Sequence, residues 1–168
     1  MTGVGVETGS KEMMKKIKKN LNLDIVNEKV DILRHHGIIT SGFFILGLPG
    51  ETEETMNETI EFALQSHFKR IQICIYTAFP GSQSFNHLCD TDAKLRNYLY
   101  NDILPITPME VTIEQVNNAY RNLLLRFYGK PIVAVDVFRQ LTFRQIKDIF
   151  QRFIFEKIRL PKLIMESR

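Results

Sequence analysis

Three short loops in this sequence carry residues fit for binding chemistry: Glu7-Thr8-Gly9-Ser10, Gly47-Leu48-Pro49-Gly50-Glu51-Thr52 and Thr77-Ala78-Phe79-Pro80-Gly81-Ser82. Each contains glycine and two contain a Pro-Gly pair, so each can bring backbone amides close to a ligand. A single Pro-Gly is more often only a turn. Three glycine-bearing loops on one rim point to a shared site. None is a phosphate-binding P-loop, because no Gly-Lys-Ser/Thr follows. Glu7 is the most suggestive residue. Its carboxylate follows the apolar run Gly3-Val4-Gly5-Val6 and stands beside Thr8, where it can accept from an ammonium or a sugar hydroxyl. Capping the amides of the following helix is an equal alternative. His35-His36 precede Gly37 at a helix end whose dipole favours a cation, and no acidic or thiol partner lies at metal-ligand spacing. His87 and Cys89 lack a partner set, and Asp90 and Asp92 suit the start of a turn or helix. No residue is assigned a catalytic role and none a metal.

The elements that would position these loops form repeated strand–helix units. Residues 3–6 read as the end of a buried strand. Residues 11–19 read as a lysine-rich helix with Met13, Met14 and Ile17 inside. Asp24 can cap a second helix, whose apolar positions are Val26, Val30 and Leu33 and whose end is Gly37. The run 38–46 is nearly all apolar, which predicts a strand buried on both faces. Thr52 caps a third helix with Glu51, Glu53 and Glu54 at its positive end and Ile60, Ala63 and Leu64 inside. Residues 70–76 are a third strand. From Glu7 to Gly47 to Thr77 the steps suit successive parallel β–α units joined by right-handed crossovers. In such folds ligands bind beyond the carboxyl ends of the strands, which selects the same three loops. After Ser82 no further strand is read. Pro105 and Pro108 interrupt an irregular stretch. Thr112 and Gln115 form a capping box that opens a helix toward Gly129, Pro131 starts another, and Thr142 and Gln145 open a last amphipathic one ended by Pro161.

The fold class is therefore α/β: a partial, half β/α barrel of about three parallel strands followed by a helical C-terminal region. The divisions are 1–85 for the β–α units, 86–111 for an irregular connection and 112–168 for the helices. The 168 residues are too few for a complete eight-stranded barrel, which takes roughly 200 or more. Two cysteines, Cys74 and Cys89, cannot make a disulfide framework or a local iron–sulfur site. No signal peptide is read and no apolar run reaches membrane-span length. Free thiols and many lysines suit the cytoplasm. Of the net charge of +3, residues 139–168 hold eight Lys/Arg against three Asp/Glu. A second basic cluster covers Lys11, Lys15, Lys16, Lys18 and Lys19. Without a nucleic-acid motif beside them, both read as solvated helix faces, and no nucleic-acid partner is expected.

GVGVETGS, then SGFFILGLPGETEET, then IYTAFPGS resembles, in order and spacing, the second half of radical S-adenosylmethionine enzymes, over about residues 3–85. That resemblance implies a partial six-strand barrel holding an iron–sulfur cluster and S-adenosylmethionine, the three loops following its fourth, fifth and sixth strands. It places Glu7 and Thr8 near the cofactor's ribose and methionine amine. Ile45, Leu46 and Gly47 would back the adenine, with Pro49 and Gly50 shaping that loop. Tyr76, Thr77 and Pro80 would close the far side. Lys19 would meet the methionine carboxylate, although Asn20 replaces the glycine usual beside that position. Residues 112–131, with Ala119-Tyr120-Arg121 and 126–131, resemble the region after the barrel in cobalamin-dependent members akin to the anaerobic magnesium-protoporphyrin ester cyclases. The helical end differs from the small β-rich domain usual in methylthiotransferases.

The CxxxCxxC of that family is absent here, as are its first three strands and any cobalamin-binding domain. The resemblance thus implies the C-terminal portion of such an enzyme, holding part of an S-adenosylmethionine site and inactive alone. The four-iron four-sulfur cluster, and cobalamin if the parent uses it, would be bound by residues outside this chain. The partner would be the missing N-terminal half. Open sheet edges would otherwise favour a homodimer or a helix folded over the sheet. Two other classes remain open: a non-catalytic module binding a nucleotide-like ligand, and a helical interaction protein using its basic tail.

Overall fold

Strand β1 (Thr2–Glu7) is short and glycine-rich, and it pairs in parallel with β2 (Thr40–Leu46), which pairs in parallel with β3 (Arg70–Ile75). The sheet order is β1-β2-β3, so each strand lies beside the next in sequence, as the β–α spacing predicts. The computed structural model describes residues 1–82, 84–86, 90 and 110–140. Its chain divides into two compact units, Met1–Gly129 and Lys130–Arg168. The readings made on His87, Cys89, Asp92, the prolines at 105 and 108, the helix after Thr142 and the basic tail lie outside the described residues.

Helix α1 (Lys11–Lys16) is capped by Ser10 and shorter than its lysine pattern suggests. Its end is a Schellman turn: the Lys19 amide donates to the Met14 carbonyl and the Lys18 amide to the Lys15 carbonyl. Lys18 takes the left-handed position of that motif at φ 55°, where glycine is usual. Asp24 does not cap the next helix. Its amide is held by Asn22 in a 3₁₀ turn, Leu23–Ile25, and its carboxylate pairs with Lys11, so α2 (Val26–His35) begins without a side-chain cap. Gly37 ends α2 at φ 74°, as expected of glycine there. Helix α3 (Glu53–Gln65) opens on Thr52, which with Thr55 forms a reciprocal capping box. Helix α4 (Ile113–Tyr128) opens on the Thr112/Gln115 box, and α5 (Pro131–Gln140) has proline at its first position.

One face of the sheet is buried. Val6, Phe44 and Leu46 have no exposed surface, and the Phe44 ring meets Phe62 of α3 and Phe68 edge-on, centroids 6.4 and 6.3 Å apart. The other face carries Gly3 and Gly5 of β1, Phe43 and Ile45 of β2, and Gln72 and Cys74 of β3, set side by side by the register. Phe43 is 39% exposed, and Gln72 and Cys74 are exposed. This corrects the expectation that β2 is buried on both faces. Its apolar run is continuous, but among the described residues only one face has a cover. The expected open edge of the last strand is blunted at one point: the Tyr128 hydroxyl of α4 donates to the Ile71 carbonyl at 2.7 Å and accepts from the Ile71 amide at 3.3 Å.

Candidate functional site

At the carboxyl end of β1 the pairing with β2 slips between Gly5 and Glu7, a bulge that leaves Val6 as the extra residue. Glu7 follows it at φ 69°, a left-handed conformation uncommon for a residue with a Cβ. The strain re-aims its side chain. One carboxylate oxygen sits over Gly5, where an added Cβ would come within 2.6 Å of it. That places the carboxylate on the uncovered face of the sheet. Lys19 reaches it from beyond α1, Nζ to Oε1 2.7 Å, with both side chains about a quarter to a third exposed. The Schellman turn at Lys18 is what swings Lys19 toward β1. Two left-handed residues other than glycine, Glu7 and Lys18, thus flank one ion pair. Strain of this kind, of order 1–3 kcal/mol per residue, persists where surrounding structure over-determines it and gathers at functional sites.

The remaining residues of this loop are turned inward. Thr8 is fully buried, its hydroxyl within 2.9 Å of that of Thr59 on α3, and it accepts the Ser10 amide. The Gly9 amide donates to Thr59 Oγ1 at 3.0 Å. The first loop is therefore tied to α3 through Thr59, with Thr8 serving that tie.

The second loop is held from within by Glu51. This carboxylate has no exposed surface, yet it is not a first-turn acid reaching into solvent. Oε2 accepts the Gly47 amide at 2.5 Å and the Leu48 amide at 3.0 Å, while Oε1 is buried without a partner among the described residues. Burial pushes its pKa up from 4.5 to about 7, against the lowering pull of the Leu48 and Gly47 amides. Gly47 and Gly50 are left-handed, and Val116 of α4 closes over Gly47. Lys16 of α1 donates to the Gly50 carbonyl at 3.0 Å. Leu46 and Gly47 are buried, Ile45 and Gly50 half-buried, and Pro49 exposed. In the third loop the Tyr76 amide continues the ladder to the Leu46 carbonyl at 2.8 Å, Tyr76 and Thr77 are half-buried, and Pro80 is exposed.

The fold thus brings Glu7 and Lys19 into contact and sets the second and third loops at the same end of the sheet. An open groove of about 680 Å³ runs along Lys11, Lys15, Lys18 and Lys19 to Asp24. Glu51 was missed in reading the sequence as a site residue. Its signal was slight: an acid between two left-handed glycines and a capping threonine. Glu7 and Lys19 offer one anion and one cation side by side, the donor set an amino-acid zwitterion requires, so these residues fit the methionine end of S-adenosylmethionine. They do not fit an iron–sulfur cluster. The sequence has two cysteines, and no cluster of three metal-ligating residues occurs among the described ones. No helix of the described residues is long and apolar enough to cross a membrane.

Residues 2–63 match the model of the Radical SAM superfamily. An uncharacterized methyltransferase of Pyrococcus horikoshii is 28% identical over 138 residues, covering 80% of this chain and 30% of that protein. A tRNA-2-methylthio-N(6)-dimethylallyladenosine synthase of Acinetobacter baylyi is 28% identical, covering 86% and 35%. An anaerobic magnesium-protoporphyrin IX monomethyl ester cyclase of Rubrivivax gelatinosus is 25% identical, covering 73% and 23%. The chain spans about a third or less of the length of these relatives, which include both groups considered from the tail. Among solved structures, coproporphyrinogen III oxidase of Escherichia coli, described as a radical SAM enzyme, shares the fold with a TM-score of 0.51 at 18% identity, over 76% of this chain and 26% of that one.

Proposed function

We propose that this chain is the later part of a radical S-adenosylmethionine enzyme and supplies one wall of its cofactor pocket. The observation that carries the reading is the Glu7–Lys19 pair, 2.7 Å apart, formed by the left-handed Glu7 at the carboxyl end of β1 and by Lys19, which follows the left-handed Lys18 after α1. In the empty chain the two charges satisfy each other. A methionine zwitterion can enter by exchange: its ammonium takes the Glu7 carboxylate and its carboxylate takes the Lys19 ammonium. Because each group is only partly exposed, the exchange keeps both charges paired throughout. Ile45 and the backbone of Leu46 and Gly47 back the adenine, Pro49 and Gly50 shape that loop, and Tyr76, Thr77 and Pro80 close the far side. Thr8 acts behind Glu7 by fixing the loop to α3.

Bound S-adenosylmethionine would supply a sulfonium whose S–C bond to the adenosyl group is open to one-electron reductive cleavage, with methionine as the leaving group. The reducing cluster, with its three thiolates, belongs to a part of the enzyme outside these residues, and so does cobalamin if the parent employs it. This chain's own work is to bind and orient. The uncovered sheet face, with Phe43 39% exposed, supports a missing half as the natural cover, with a second copy as the substitute when the chain is alone. The substrate pocket would be shaped by that missing half and by a cobalamin domain where the parent has one.

Calorimetry of the whole chain with S-adenosylmethionine tests the binding claim. Weak binding that falls at least tenfold in both Glu7→Gln and Lys19→Met is expected. Equal affinity in wild type and both variants would overturn it. An upstream coding sequence without CxxxCxxC would overturn the claim about the parent enzyme and favour a non-catalytic nucleotide-like module. Salt-dependent binding to RNA or anionic vesicles, with no S-adenosylmethionine binding, would favour an interaction protein.

A further inference from the structure

The Glu51 carboxylate is the one fully buried acid among the described residues, and it holds the loop that follows β2. Its two oxygens differ. Oε2 is engaged by two amides, those of Gly47 and Leu48, at the turn where β2 leaves the sheet. Oε1 is enclosed and has no partner among the described residues. The Glu51 amide in turn donates to the Leu48 carbonyl, closing the loop on itself. Glu51 directly precedes Thr52, the cap of α3, so one side chain ties the exit of β2 to the entry of α3.

We propose that Glu51 is the positioning residue of the 46–50 loop, and that a proton on Oε1 sets how firmly the loop is held. The assignment to an adenine-facing loop rests on the proposed cofactor site; the clamp itself does not. With two donors already on Oε2, an incoming proton has only Oε1 to occupy. Protonation leaves Oε2 a neutral carbonyl whose bonds to amides are about half as strong. It also removes a buried charge that Oε1 leaves poorly solvated. The second effect is the larger, so the protonated clamp is the firmer. Burial, which raises the pKa to about 7, brings that change into the neutral range. The charged groups on the surrounding elements are otherwise engaged or exposed. Lys16 of α1 is on the Gly50 carbonyl and paired with Glu12, and Lys19 is on Glu7 of β1. Glu53 and Glu54 of α3 are exposed, Glu53 accepting from Gln115 of α4. None of them bonds to Glu51.

Amide hydrogen exchange of Gly47 and Leu48 in the whole chain, corrected for intrinsic rates and followed from pH 5 to 9 by NMR, tests the clamp. Protection at both amides should fall roughly five- to tenfold as pH rises through a midpoint near neutrality in wild type. Glu51→Gln should stay at the low-pH level across the range, and Glu51→Ala should lose protection at both. A flat wild-type profile, or a midpoint that persists in Glu51→Gln, would overturn the proposal. The Gln variant alone decides the matter if the Ala variant does not fold. S-adenosylmethionine binding measured at the two ends of the pH range separates the two claims. Absent binding with the amide profile intact sinks the cofactor reading and leaves the clamp. Binding intact with no amide profile sinks the clamp and leaves the cofactor reading.

Discussion

Tyr128 holds both backbone groups of Ile71 with one hydroxyl, donating to the carbonyl at 2.7 Å and accepting from the amide at 3.3 Å. Ile71 lies on β3, which has β2 on one side and, among the described residues, no strand on the other. An edge strand exposes a row of unpaired donors and acceptors that invites another chain. A side chain from α4 therefore removes one pairing point of that edge, and it does so from the end of the helix that the Thr112/Gln115 box begins.

Tyr128→Phe keeps the ring, which packs edge-on against Phe127 at 5.3 Å, and removes only the hydroxyl. It should cost about 1–2 kcal/mol of stability in urea unfolding. Exchange of the Ile71 amide should speed up by more than exchange of Gln72, whose amide faces β2 across the ladder. Equal acceleration at both would mean global destabilisation rather than an opened edge.

Gly9→Ala should be strongly destabilising. An added Cβ would stand 2.5 Å from the Phe62 Cβ, 2.8 Å from the Thr59 Cα and 2.9 Å from the Glu58 carbonyl oxygen. Two of these are backbone atoms of α3 that cannot swing aside, so the loop must lift and lose the Gly9–Thr59 bond. A loss of about 1–3 kcal/mol is expected from overpacking, measured as a lower denaturation midpoint. Gly81→Ala is the control, since an added Cβ there meets nothing within 4 Å, although its φ of 91° keeps some strain.

Much of this frame was legible from residue types. Spacing between apolar runs gave three parallel strands in sequence order, and Thr52, Thr112 and Gly37 did their capping as their chemistry demands. What escaped was set by tertiary context. Nothing in the lysine-rich pattern announces that α1 stops at Lys16, because the left-handed turn falls on Lys18 rather than on a glycine. Asp24 looks as good a cap as Asn22, and only the chain path decides between them. Glu51 reads like its neighbours Glu53 and Glu54 until burial separates it. Phe43 sits in a run that looks buried on both sides, and a run cannot reveal that only one face is covered among the described residues.

Lys18→Gly should stabilise the chain. Lysine at φ 55° pays the left-handed cost of roughly 1–2 kcal/mol, partly offset by the extra unfolded-state freedom of glycine at roughly 0.5–1. A net gain of about 0.5 kcal/mol is expected, a rise of about 1–2 °C in Tm being the scale to resolve by calorimetric scanning. The Schellman bonds are backbone bonds, so Lys19 should still reach Glu7. A lower Tm would mean that the Lys18 side chain itself contributes on the groove.

The pH dependence of stability follows from Glu51. Its folded pKa of about 7 lies above the ordinary value of 4.5, so between those limits the folded chain binds more protons than the unfolded one. Stability from this group is fully present below the unfolded value, falls as pH rises through the window, and is lost above the folded pKa. The whole change is about 3 kcal/mol. The direction is opposite to that of a salt-bridged carboxylate, which gains stability as pH rises over the acid range. Glu51→Gln mimics the protonated acid in shape and carries no charge, so its unfolding free energy should lack this fall, and near pH 8 it should exceed that of wild type. Urea unfolding of both proteins at half-unit steps from pH 4.5 to 8 measures the difference. Parallel curves for the two would show that Glu51 is ionised throughout and that the protein, through its amides, solvates the anion as well as water does.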